Sequence, residues 1–66
     1  MITVNRRYQV EWKPGMTVRD VLDALRFTFP MIVVRLNGQI IRREDFAVTP
    51  VPDGAIMEAI HLTSGG

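Results

Sequence analysis

A single stretch of helical period, set between runs that alternate, constrains this chain more than any other feature. Val18, Val21, Leu22 and Leu25 fall at the i, i+3, i+4, i+7 spacing of one apolar stripe, with Arg19, Asp23 and Arg26 off it. Thr17 stands where an N-cap belongs and Asp20 occupies the capping-box position. Asp is a shorter reciprocal partner than Glu, but its charge suits the positive end of the helix dipole. The pattern predicts a helix running to Phe27–Phe29, where Pro30 forbids further turns. At about 11 residues and 1.5 Å each, it spans roughly 16 Å, enough to cross one face of a small sheet.

The flanks read as strands. Ile2 and Val4 alternate out of one side, and Tyr8, Val10 and Trp12 share a face with Gln9 and Glu11 opposite, so Met1–Asn5 and Tyr8–Trp12 predict an opening hairpin with one buried face, turned at Asn5–Arg7. Lys13-Pro14-Gly15 breaks the second strand before the helix. Beyond Pro30, Ile32–Leu36 alternates, Asn37-Gly38 is a strong two-residue hairpin signal, and Gln39–Ile41 is the return strand. Arg42–Phe46 reads as irregular or as one helical turn. A loop from Thr49 to Gly54, with two prolines and an Asp-Gly turn, precedes a last strand at Ala55–Leu62. So long a loop cannot make a hairpin. The last strand is therefore expected in the sheet centre, parallel to the first, with the helix on one face. This is an α+β, β-grasp arrangement with a mixed sheet of four to five strands. Residues 1–62 are expected to form the domain and residues 63–66 a flexible C-terminal tail.

Composition narrows the function. Sixty-six residues bury only about 60% of their unfolded surface, a single thin core without room for a walled catalytic cleft. There is no cysteine, which excludes disulfides, a thiol nucleophile and a Cys-based zinc site. His61 is the only histidine, so no His cluster can hold a metal, and no cofactor is expected. Eight Lys+Arg against seven Asp+Glu give a net charge of +1, too balanced for a domain held to nucleic acid by counterion release. No apolar run approaches the roughly 20 residues of a membrane span, and the first residues lack a signal-peptide layout. The expectation is a cytoplasmic partner protein, not an enzyme, with no nucleic-acid or membrane role.

Three features offer more than scaffold. Gly65-Gly66 follows directly on the last strand. Its α-carboxylate, with a pKa of about 3.3–3.7, is ionised at neutral pH and inert until activated. Ser64, Gly65 and Gly66 form a slender tail able to thread a narrow channel, although a frayed end reads the same way by composition. In the last strand, Glu58 is not expected to face the helix, because burying an unpaired carboxylate is costly. That parity exposes Ile56, Glu58, Ile60 and Leu62 as a partner-facing stripe and leaves Met57 and Ala59 in the core. A partner such as Arg35 for Glu58 is the alternative reading. The positive charge is nearly all arginine, and Arg42-Arg43 before Glu44-Asp45 reads as a self-compensating turn. His61 reads as a surface or structural residue, and no Ser/His/Asp set or phosphate loop is present.

With these elements in register, the chain resembles the ThiS/MoaD family of ubiquitin-like sulfur carriers over its whole length, and its thiamin-biosynthesis branch more closely. The carrying block is Val34 to Phe46, VRLNGQIIRREDF, followed by Thr49-Pro50, Asp53-Gly54, Glu58, His61 and the final Gly65-Gly66. It departs from the family pattern at Ala55, where Asp is usual, at Arg42, where Pro is usual, and at Ser64, where Gly or Ala is common.

The resemblance implies that an ATP-dependent adenylating enzyme activates the Gly66 carboxylate. A sulfur donor, such as a cysteine desulfurase or another sulfurtransferase, then displaces AMP to leave a thiocarboxylate. A thiazole synthase would receive the sulfur in thiamin synthesis. The alternatives are sulfur donation for molybdopterin or tungstopterin, or conjugation to proteins through Gly66 as a ubiquitin-like modifier. A third, non-covalent role as an interaction module leaves the diglycine incidental.

Overall fold

Asn37-Gly38 builds a tight corner. The computed structural model describes residues 1–27 and 31–62, and in it Asn37 and Gly38 both take positive φ (48° and 84°). That is the twist a two-residue hairpin requires. It joins β3 (Ile32–Leu36) to β4 (Gln39–Ile41) with Leu36 opposite Gln39 and Arg35 opposite Ile40. The first hairpin pairs β1 (Ile2–Val4) with β2 (Tyr8–Val10), antiparallel, across a turn in which Asn5 and Arg6 both have positive φ.

β5 (Ile56–His61) lies between the two hairpins, parallel to β1 and antiparallel to β3. The sheet order is β2-β1-β5-β3-β4, five strands with the last in the centre, and the β-grasp expectation holds. The strands are shorter at their ends than the alternation suggested. Trp12, for example, leaves β2 and donates its indole N–H to the Val51 carbonyl at 2.7 Å.

The helix α1 (Val18–Ala24) opens on a complete capping box. Asp20 N–H donates to Thr17 Oγ1 at 3.3 Å, and Thr17 N–H donates to Asp20 Oδ2 at 2.9 Å. The Thr49 and Phe46 carbonyls accept the next two free N–H groups, from Val18 and Arg19, so the loop before β5 is tied to the helix start.

The helix ends earlier than expected, at Ala24 instead of near Phe27. Arg26 turns to φ 58°, Phe27 N–H reaches back to the Leu22 carbonyl and Arg26 N–H to that of Asp23. This is a Schellman stop, normally signalled by glycine, and an arginine in its place hides it from the sequence.

One side of α1 and the helix-facing side of the sheet enclose the core. Ile2, Val4, Val18, Val21, Leu22, Val34 and Met57 are essentially inaccessible, and Phe46, Val51 and Ala55 close the edge under the loop. Arg43–Asp45 forms the single short helical turn expected between Arg42 and Phe46, with Arg42 paired to Glu44 at 3.2 Å.

Candidate functional site: the open face of the sheet

β5 separates its side chains by parity. Ala55, Met57 and Ala59 are buried beneath the helix, whereas Ile56, Ile60 and Leu62 are 60%, 47% and 45% exposed on the other side. Glu58 lies with the exposed set, as the desolvation argument required. Its expected alternative partner is present as well. Arg35, directly opposite on β3, donates to Glu58 Oε1 at 2.8 Å through Nε and approaches it at 2.7 Å through a terminal nitrogen. Both side chains remain substantially solvated, so the pair adds at most about 1 kcal/mol. It places a neutralised polar centre in an otherwise apolar surface.

The sheet register completes that surface. Directly cross-strand residues share a face, so Val33 opposite Ile60, and Ile40 opposite Arg35, join the stripe. Ile40 is 66% exposed, and Met31, whose carbonyl accepts the Leu62 N–H, lies beside the stripe's end. Sequence reasoning missed Ile40 because it took β4 only as a return strand. The signal was there: a two-residue Asn-Gly turn fixes the register that sets Ile40 against Arg35.

Asn5 is the second residue sequence reasoning missed. Its amide holds β5 from the β1 side. Nδ2 donates to the Ala59 carbonyl at 3.1 Å, and the Ala59 N–H donates to Oδ1 at 2.8 Å. The β1 backbone has already turned away at this level, so the side chain stands in for the peptide group β1 no longer supplies. Asn37 does similar work at the other end of β5. Its Oδ1 accepts from Ile56 N–H at 2.9 Å, and its own N–H donates to the Ile56 carbonyl at 2.8 Å.

Ser64, Gly65 and Gly66 lie outside the described residues, as does the expected tail 63–66. At the opposite end of β5, the Met1 ammonium lies 2.7 Å from Asp53 Oδ1. That hydrogen bond, and then the ammonium charge, hold the Asp53 carboxyl below its usual range. A shallow groove of about 670 Å³ lies between the Val10–Met16 segment and the helix, with Asp20 and Asp23 on its wall. Both carboxylates already have partners, in the capping box and with Arg19. Among the described residues, no group of three His, Cys, Asp or Glu side chains could hold a metal ion, and no helix is long and apolar enough to cross a membrane.

A central strand flanked by two hairpins, one crossing helix and an open apolar face define a ubiquitin-like β-grasp protein. The ThiS family model matches residues 2–66, through the terminal diglycine, and the chain belongs to that family of sulfur carriers. Such proteins are small carriers, not catalysts, and the family implies dealings with an activating enzyme and with sulfur-transfer partners. Two solved structures are similar to it, both of a thiamine biosynthesis protein from Geobacter metallireducens. The crystal structure, of ThiS, is 33% identical with a TM-score of 0.78, covering 98% of this chain and 97% of that one. The solution structure is 33% identical with a TM-score of 0.73, covering 98% of this chain and 86% of that one.

Proposed function

We propose that the Gly66 carboxylate is the sulfur-carrying group and that thiazole formation in thiamin synthesis is its destination. A carboxylate is a poor electrophile. Attack of its oxygen on the α-phosphorus of ATP forms an acyl adenylate and releases pyrophosphate, giving the carbonyl a good leaving group. The terminal sulfur of a donor persulfide then attacks that carbonyl, and AMP departs with the electron pair of the C–O bond. A thiol next cleaves the resulting acyl disulfide; it is oxidised to a disulfide, and the thiocarboxylate leaves reduced. The chain supplies the carboxylate, a tail without side-chain bulk at Gly65 and Gly66, and a docking face at Ile56, Glu58, Ile60 and Leu62. Partners supply the catalysis: an ATP-dependent adenylating enzyme, a cysteine desulfurase or other sulfurtransferase, and a thiazole synthase.

The observation that carries this reading is the family match running unbroken through Gly65-Gly66. The thiamine-biosynthesis neighbours, each 33% identical over nearly the whole chain, support thiazole as the destination. Intact-mass spectrometry after incubation with an activating enzyme, ATP and a sulfur donor is expected to show one oxygen exchanged for sulfur. Removing Gly66 is expected to abolish the exchange while leaving the melting temperature unchanged. Sulfur uptake by the truncated chain would place the reactive group elsewhere.

A further inference from the structure

Six of the seven arginines fall into two groups. Arg19, Arg35 and Arg42 each pair with a carboxylate, Asp23, Glu58 and Glu44 respectively. Arg6, Arg7 and Arg26 are exposed, and among the described residues no carboxylate pairs with them. Arg26 is far from Arg6 and Arg7 in sequence, yet the fold brings it to the same aromatic contact. Tyr8 meets Phe27 edge-on with ring centroids 5.6 Å apart, Arg7 lies over the Tyr8 ring at 5.6 Å, and Arg26 immediately precedes Phe27. The contact joins the β1–β2 turn to the end of α1. Asn5, in that turn, is bonded to Ala59 on β5, and β5 ends at His61. The three arginines therefore sit at the end of the sheet from which the chain runs on to Gly66.

Two of them also hold unfavourable backbone. Arg6 and Arg26 have φ of 54° and 58°, in the left-handed region where glycine or asparagine is comfortable and a long side chain is not. Neither side chain forms a hydrogen bond or ion pair with another described residue in return, so local stability gives no reason for arginine. Strain retained at an exposed site points to use of the side chain. Three guanidinium groups, each able to bind a carboxylate through two parallel N–H donors, suit an acidic protein surface.

We infer that Arg6, Arg7 and Arg26 form a basic collar around the tail's exit that docks on an acidic rim of the partner protein admitting the tail. The collar steers the tail's approach and lies outside the apolar face. It rests on the carrier reading only in naming the activating enzyme as that partner.

The test measures binding of the full chain to its activating enzyme without ATP, over a series of salt concentrations. Wild type is compared with a variant carrying Arg6→Gly, Arg7→Gln and Arg26→Gly. Wild-type affinity is expected to fall steeply with salt, and the variant to bind about tenfold more weakly at low salt, with a flattened salt dependence. The two glycine substitutions are expected to raise the melting temperature, because each relieves a left-handed residue. Weaker binding then cannot come from misfolding. A variant that binds as tightly as wild type at low salt overturns the collar, as does wild-type affinity indifferent to salt or exceeded by affinity for single-stranded DNA. Salt-dependent binding that the variant loses, without any sulfur uptake by wild type, upholds the collar and overturns the carrier reading instead.

Discussion

The two faces of β5 share one backbone and differ in almost everything else. Toward the helix, Ala55, Met57 and Ala59 are small or pliable and fully packed; toward solvent, Ile56, Ile60 and Leu62 are large, branched and half open. A residue's contribution to stability thus alternates along the strand, and so does its availability to a partner. Alternation lets one strand carry a core side and an open apolar side without compromise between them, provided its register never slips. The backbone bonds that Asn5 and Asn37 make to Ala59 and Ile56 oppose such a slip.

Substitutions can break that contrast. The largest effect is expected from Met57→Ala, on the buried side. It removes a fully enclosed side chain at about 2–5 kcal/mol, much of the stability a domain this small possesses. Urea unfolding reads it directly, and a midpoint close to wild type would mean that the helix collapses onto the gap. Next comes the backbone between the faces. Asn5→Ala strands the N–H and carbonyl of Ala59 and puts alanine at φ 56°, together about 2–3 kcal/mol. Asn5→Gly keeps the conformation but loses the amide and is expected to recover about 1 kcal/mol of that. Equal losses in the two variants would assign the whole effect to the hydrogen bonds.

On the open side, Ile60→Ser is expected to change stability by no more than about 0.5 kcal/mol. It should raise the KM for charging by the activating enzyme about tenfold, as loss of an anchor at a docking centre does. A stability loss comparable to that of Met57→Ala would erase the distinction between the faces. The smallest effect lies at the strand's start, on neither face. The folded pKa of Asp53 is below the ordinary 3.8, so its pair with Met1 stabilises fully above that value and fades as pH falls through the folded pKa. Urea midpoints of wild type and Asp53→Asn are expected to converge on acidification. Divergence would give the pair the opposite sign.

Much of this contrast was legible in the sequence, because it rests on local rules. The burial cost of one carboxylate, Glu58, set the parity of β5, and Asn37-Gly38 set the β3–β4 corner. The long loop from Thr49 to Gly54, unable to close a hairpin, sent β5 to the centre. Features that depend on distant partners were hidden. The Asn5 amide has a role only once β1 and β5 lie parallel, and the stop at Arg26 uses a residue that ordinarily continues a helix. Arg26 joins Arg6 and Arg7 only when Phe27 reaches Tyr8. The register that recruits Ile40 followed from the turn, but had to be carried across a strand pair to be seen.

The central place of β5 also bears on the order in which the molecule can be made. The two hairpins touch within the sheet only through this strand, the last of the described elements to be synthesised. Before it arrives, each hairpin is a two-stranded ribbon, marginal on its own in water. Contacts of long sequence separation must then close together, so folding is expected to be a single late and cooperative event, slow for so short a chain. A ribosome-bound chain whose β5 is still in the exit tunnel would have no finished sheet for a protease to spare.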